Sequence, residues 1–95
     1  MYREAEFKKE YACLSVVIPA YNEENTIRRI VEKLIKIPHL LEIIIVDDCS
    51  NDRTGIIGQQ LADFNPMIRY FRHEENLGKT AALKTGFAET KGDIV

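Results

Sequence analysis

Ninety-five residues are enough for one small domain and not for two. Hydrophobic residues make up 45% of the chain, which supports a packed core and argues against disorder. Charged residues make up 29% and nearly cancel at a net charge of −2, so nothing points to a nucleic-acid partner, which would call for a basic stripe or patch.

Met1 to Tyr11 mixes Arg3, Lys8 and Lys9 with Glu4, Glu6 and Glu10 and lacks the apolar segment of a secretory signal. Residues 1–12 therefore read as a solvated N-terminal arm, and no apolar run anywhere approaches the roughly 20 residues that span a bilayer. Leu14-Ser15-Val16-Val17-Ile18 is a β-branched apolar run, predicted to be a buried strand that Pro19 ends. Asn22-Glu23-Glu24-Asn25 is expected to open a helix, with an Asn cap and acids in the first turn. Ile27, Ile30, Val31, Leu34 and Ile35 continue it at helical spacing until Pro38.

Leu41 to Val46 predicts a second buried strand that runs into Asp47-Asp48. Ser50, Asn51 and Asp52 are cap candidates for a second helix whose Ile57, Leu61 and Phe64 share a face. Gly55 and Gly58 weaken that helix by up to about 1 kcal/mol each. Met67 to Arg72 gives a short third strand. Asn76-Leu77-Gly78-Lys79 turns into a third helix, with Leu83 and Phe87 stacked and Ala82 and Gly86 on the adjoining stripe. Ile94-Val95 opens a fourth strand.

This alternation is the pattern of right-handed βαβ crossovers: a three-layer α/β/α arrangement with a mainly parallel sheet, about four strands and three helices. In such sheets ligands collect at the carboxyl ends of the strands, so the residues just past each strand are the candidates. After the first strand, Tyr21 offers a flat face to a base, and Glu23 is an acceptor at a helix start. After the second, Asp47 and Asp48 point to opposite faces, and a carboxylate there suits the N–H edge of a nucleobase. After the third, Gly78 lets backbone N–H groups approach an anion and Lys79 adds a point charge. The spacing of neither a phosphate-binding P-loop nor a dinucleotide turn is present.

His39 and His73 read as surface residues. Cys13 and Cys49 should stand roughly 20 Å apart at opposite ends of neighbouring strands, too far for a disulfide, which fits a reducing, cytosolic face. A phospho-receiver domain would need an Asp after the third strand, where Arg72-His73-Glu74-Glu75 stands instead.

Three segments together resemble the family 2 glycosyltransferases, particularly the branch that includes dolichyl-phosphate mannose synthase. They are Val17-Ile18-Pro19-Ala20-Tyr21-Asn22-Glu23, Ile45-Val46-Asp47-Asp48-Cys49-Ser50-Asn51-Asp52-Arg53-Thr54 and Asn76-Leu77-Gly78-Lys79-Thr80-Ala81-Ala82-Leu83-Lys84-Thr85-Gly86. The resemblance covers residues 13–95 and implies the Rossmann-like, nucleotide-binding N-terminal half of a GT-A fold. By position it places Pro19, Tyr21, Asn22 and Glu23 along the nucleotide pocket and Asp47 on the base. Asp48 and Ser50 would shape the loop, with Gly78 and Lys79 near the nucleotide.

It further implies a UDP- or GDP-linked sugar donor, a lipid-phosphate or saccharide acceptor, and Mg²⁺ or Mn²⁺ on an Asp-x-Asp that the family carries after its fourth strand. No Asp-x-Asp, catalytic base or acceptor-binding half stands in these 95 residues. The expectations are therefore weak nucleotide binding and no sugar transfer by the chain alone. A fourth strand of two residues leaves the first strand partly unpaired, which predicts self-association. The alternative is a non-catalytic nucleotide-binding or self-associating module.

Overall fold

The computed structural model describes residues 13–94, so the expected N-terminal arm and Val95 lie outside the described residues. The elements alternate as expected: β1 (Leu14–Ala20), α1 (Ile27–Leu34), β2 (Leu40–Asp47), α2 (Thr54–Phe64), β3 (Ile68–Arg72), α3 (Lys79–Ala88) and β4 (Asp93–Ile94). The four strands form one sheet in the order β3-β2-β1-β4, every pair parallel.

β2 is the axis of the molecule. From Glu42 to Asp47 it is continuously buried because helices cover both of its faces. Its side chains alternate. Ile43 and Ile45 join Val16, Ala20, Ile27, Val31 and Ile68 in a core completed by Ile57 and Leu61. Ile44 and Val46 face the other way, onto Val17, Ala82, Phe71 and Leu83. The first cluster is roofed by α1 and α2, the second by α3.

Several local expectations need correction. Pro19 does not end β1: it pairs with Val46, and the strand runs on to Ala20. The Ala20 carbonyl accepts from the Asp48 N–H, so Pro19, one residue earlier, turns its donor-less nitrogen away from β2, where no bond is lost. α1 opens at Ile27 with no acid in its first turn, and Asn22 is not its cap. Asn22 instead adopts a left-handed backbone, φ 53°. Phe64 leaves the face of Ile57 and Leu61 and is 90% exposed. On α3 the small stripe of Ala82 and Gly86 faces the sheet, while Phe87 points out.

The glycines of α2 also have a reason the sequence hides. A Cβ on Gly58 would lie 2.7 Å from the Tyr70 ring, so the helix approaches β3 this closely only without a side chain there. Gly58→Ala should therefore destabilise the protein by about 1–3 kcal/mol, as overpacking does. A lower urea midpoint with unchanged slope would show it; an unchanged midpoint would mean that the ring yields freely.

β4 pairs only with Leu14 and Ser15. Past Ser15, that edge of β1 has no strand partner among the described residues. At this lower end Glu42 is buried inside a clasp. It accepts from Ser15 Oγ (2.7 Å) and the Lys91 N–H (2.6 Å), with Arg69 at 3.5 Å, while the Gly92 N–H donates to Ser15 Oγ.

Candidate functional site

The site candidates gather at the opposite end, where β1 and β2 release the chain. Two rim segments, residues 21–25 and 48–54, are laced together by side chains bonded to backbone. The Asn22 N–H donates to Ser50 Oγ (2.9 Å), and Asn22 Oδ1 accepts from the Asn51 N–H (2.9 Å). The Glu23 N–H donates to Thr54 Oγ1 (2.7 Å), and the Glu24 N–H to Asp52 Oδ2 (3.2 Å). Asp52 Oδ1 also takes the Thr54 N–H (2.8 Å), which starts α2. Asn22 and Ser50 are thus fasteners of the rim.

Beside this rim lies a hollow of about 340 Å³ lined by Pro19, Tyr21, Glu23, Asp48, Gly78 and Lys79, with Ala20, Asn76 and Ala82. Six of the nine expected nucleotide-contacting residues therefore meet in one place. Tyr21 is 44% exposed, its ring presented to solvent at the mouth. Asn22 and Ser50 are not part of the lining, and neither is Asp47.

Asp47, expected on the base, is buried away from the lining of the hollow. Asp47 shares the face of Ile43 and Ile45 and has no exposure at all. Its carboxylate accepts from the Ser50 N–H (2.9 Å), the Tyr70 hydroxyl (2.7 Å) and Arg72 (2.8 Å). Burial, and then the bond to Asp47, push the Tyr70 phenol up to about 12. Asp47 therefore builds the floor that carries the loop.

Asp48, expected to shape the loop, lines the hollow. As the next residue along it faces the α3 side, with Val17 and Tyr21, and its carboxylate lines the hollow. Oδ1 accepts from the Leu77 N–H (2.9 Å) and lies 2.9 Å from His73 Nδ1; Oδ2 accepts from the Gly78 N–H (2.8 Å). Gly78 reaches this position through φ 95°, which favours glycine. Burial pushes the Asp48 carboxyl up, but the bonds from Leu77, His73 and Gly78 outweigh it and hold it below its ordinary 3.8.

His73 is not the surface residue expected. Its side chain is 10% exposed, and Nε2 lies 2.8 Å from Thr85 Oγ1. Because ionised Asp48 can only accept, Nδ1 carries the proton and donates. The sequence signal for this was weak: a lone His one residue past a strand.

Glu42 and Asp52 resemble Asp48: burial raises each, and hydrogen bonds, first from Ser15 and from Thr54 respectively, bring each below its ordinary value. A carboxyl lowered by folding contributes stability that is present above its unfolded pKa and lost as pH falls through its folded one. Urea midpoints should therefore hold from neutral pH down to about 5 and drop below about 4. A midpoint that stays flat to pH 3 would contradict this.

Among the described residues no three His, Cys, Asp or Glu side chains converge as a metal site. Glu23 and Asp48 alone do not make a cage for a divalent ion. Cys13 and Cys49 are both free. No helix among the described residues is long and apolar enough to cross a membrane.

The chain is 40% identical over 93 residues to the probable glycosyltransferase YdaM of Bacillus subtilis, covering 92% of the chain and 22% of that protein. It is 35% identical over 89 residues to the undecaprenyl-phosphate 4-deoxy-4-formamido-L-arabinose transferase of Pseudomonas fluorescens, covering 87% and 26%. It thus spans about a quarter of the length of these relatives.

Among solved structures, the mannosyltransferase PcManGT of Pyrobaculum calidifontis with GDP-Man and Mn²⁺ superposes at a TM-score of 0.75 with 25% identity, over 83% of this chain and 24% of that one. Glucosyl-3-phosphoglycerate synthase of Mycobacterium tuberculosis, with Mn²⁺ and UDP-glucose, superposes at 0.68 with 30% identity, over 100% and 36%. Both carry the open α/β sheet seen here. Residues 15–95 match the Glycosyl transferase family 2 description as a whole, so the chain belongs to that family.

Proposed function

We propose that this chain forms the donor-nucleotide seat of a glycosyltransferase that moves a sugar from a UDP- or GDP-linked donor to a lipid-phosphate or saccharide acceptor. The observation that carries the reading is the shared hollow that Tyr21, Asp48 and the Gly78-Lys79 helix start line together. Tyr21 supplies a stacking face, Asp48 accepts from the N–H edge of the base, and Lys79 supplies positive charge toward the diphosphate. Pro19 and Ala82 close the apolar wall.

The reaction is a displacement at the anomeric carbon. An acceptor oxygen forms the new bond, the bond to the diphosphate oxygen breaks, and the nucleoside diphosphate leaves with that electron pair. A carboxylate takes the proton of a hydroxyl acceptor, whereas a lipid phosphate is already anionic. None of the described residues is assigned that base. Mg²⁺ or Mn²⁺ would neutralise the departing diphosphate; the Mn²⁺ of the two superposed enzymes supports this. The undecaprenyl-phosphate relative supports a lipid-phosphate acceptor, hence a place at the cytosolic membrane surface and the branch that includes dolichyl-phosphate mannose synthase.

Taken alone, the 95-residue polypeptide should bind nucleotide weakly and transfer no sugar, since Glu23 and Asp48 line the hollow beside a single cation, Lys79. Titrating it with UDP and GDP, with and without Mn²⁺, tests the seat: backbone amides of Tyr21, Leu77 and Gly78 should shift in NMR spectra at millimolar nucleotide. Silence at all three would leave only the non-catalytic, self-associating module. The edge of β1 past Ser15, which has no strand partner among the described residues, predicts that the isolated polypeptide self-associates. Sedimentation at tens of micromolar should reveal species larger than monomer; a clean monomer refutes this.

A further inference from the structure

We infer that the hollow selects a base whose edge presents one hydrogen-bond donor, as uracil does, over guanine, and that His73 is the positioning residue that sets this choice. The inference rests on the nucleotide reading above and goes beyond it to the class of donor.

An ionised carboxylate has four acceptor positions, two on each oxygen. In Asp48 three are filled from within the protein. Oδ1 takes His73 Nδ1 and the Leu77 N–H, and Oδ2 takes the Gly78 N–H. One position remains, on Oδ2. Uracil has a single N–H between two carbonyls and needs one acceptor. Guanine presents two adjacent donors, the ring N–H and the exocyclic amine, which grip a carboxylate through both oxygens. At Asp48 the second guanine donor meets an oxygen that is already full and is left to water, so guanine forfeits the two-point grip on the charged acceptor and binds no better through its remaining bond than its desolvation allows.

The filled oxygen stays filled because neither partner can step aside. Leu77 donates through its backbone in the turn that leads into α3. His73 is held at both ends, by Asp48 on Nδ1 and by Thr85 on Nε2, with its side chain 10% exposed. Removing the imidazole frees a position on Oδ1 and releases one restraint on the carboxylate, so both bases can then be accommodated.

The test is an NMR titration of the 95-residue protein with UDP and with GDP, read at the Leu77 and Gly78 amides. UDP should bind about tenfold more tightly than GDP, the size of one unmade bond at a charged acceptor. In His73→Ala the ratio should fall toward one. In His73→Asn, whose amide nitrogen sits where Nδ1 was, it should be kept. Equal or tighter binding of GDP by the unaltered protein overturns the base selection and leaves the nucleotide seat standing; no response to either nucleotide overturns both. An unchanged ratio in a His73→Ala protein whose spectrum is folded overturns the role of His73. Should that variant not fold, a ratio lost in His73→Asn does the same.

Discussion

Asp47→Ala should cost the protein about 3 kcal/mol or more, the largest single-residue loss expected outside the apolar core. The carboxylate is wholly buried and gathers three donors from two segments: the Ser50 N–H of the loop after β2, and the Tyr70 hydroxyl and Arg72 guanidinium of β3. Without it the Ser50 N–H and Tyr70 hydroxyl lose their acceptor in a place water reaches poorly, and Arg72, itself 43% exposed, is left against the gap. A domain of this size has a total stability of roughly 5–14 kcal/mol, so the loss is a large share. Urea unfolding of Asp47→Ala should show a sharply lowered midpoint. A variant as stable as the parent would mean that the buried cluster contributes nothing net.

Asp48→Asn should act on ligand rather than chiefly on fold. The amide keeps the shape but halves the accepting capacity, and it sets an NH2 against either the Gly78 N–H or the pair from Leu77 and His73. A hydrogen bond to a charged group is worth about 1.5 kcal/mol, so UDP binding should weaken roughly tenfold. At millimolar affinity that removes the amide shifts of Leu77 and Gly78 altogether. Retained shifts would place the base elsewhere. The two neighbouring aspartates thus differ in readout: Asp47→Ala lowers the urea midpoint and leaves the lining of the hollow in place, whereas Asp48→Asn empties the hollow as well as lowering the midpoint.

Most of the architecture could be read from the sequence because its signals are local. The apolar runs of β1 and β2, the helical spacing of Ile27, Val31 and Leu34, and the strand–helix alternation determine the parallel sheet. The opposite orientation of Asp47 and Asp48 was equally legible, since it follows from the pleat. What could not be read was which of them shares a face with Tyr21. That depends on how β1 and β2 align, Ala20 beside Asp47, and a one-residue slip would interchange the two.

The remaining misses are also relations across the chain. Gly58 looked like a flaw in α2 until Tyr70 stood against it. His73 looked like a surface residue until Asp48 and Thr85 closed on its two nitrogens. Asn22 and Thr54, seemingly turn residues, fasten one rim segment to the other across about thirty positions of sequence. Tertiary geometry supplies each of these, and local pattern does not.

The lacing of the two rim segments bears on how a ligand would arrive. Because Asn22, Glu23 and Glu24 are already tied to Ser50, Asp52 and Thr54, the entropy lost in arranging them falls on folding and not on association. The receptor shape exists before its guest. Recognition then approaches rigid docking, with little reshaping of the backbone and a rate governed by encounter.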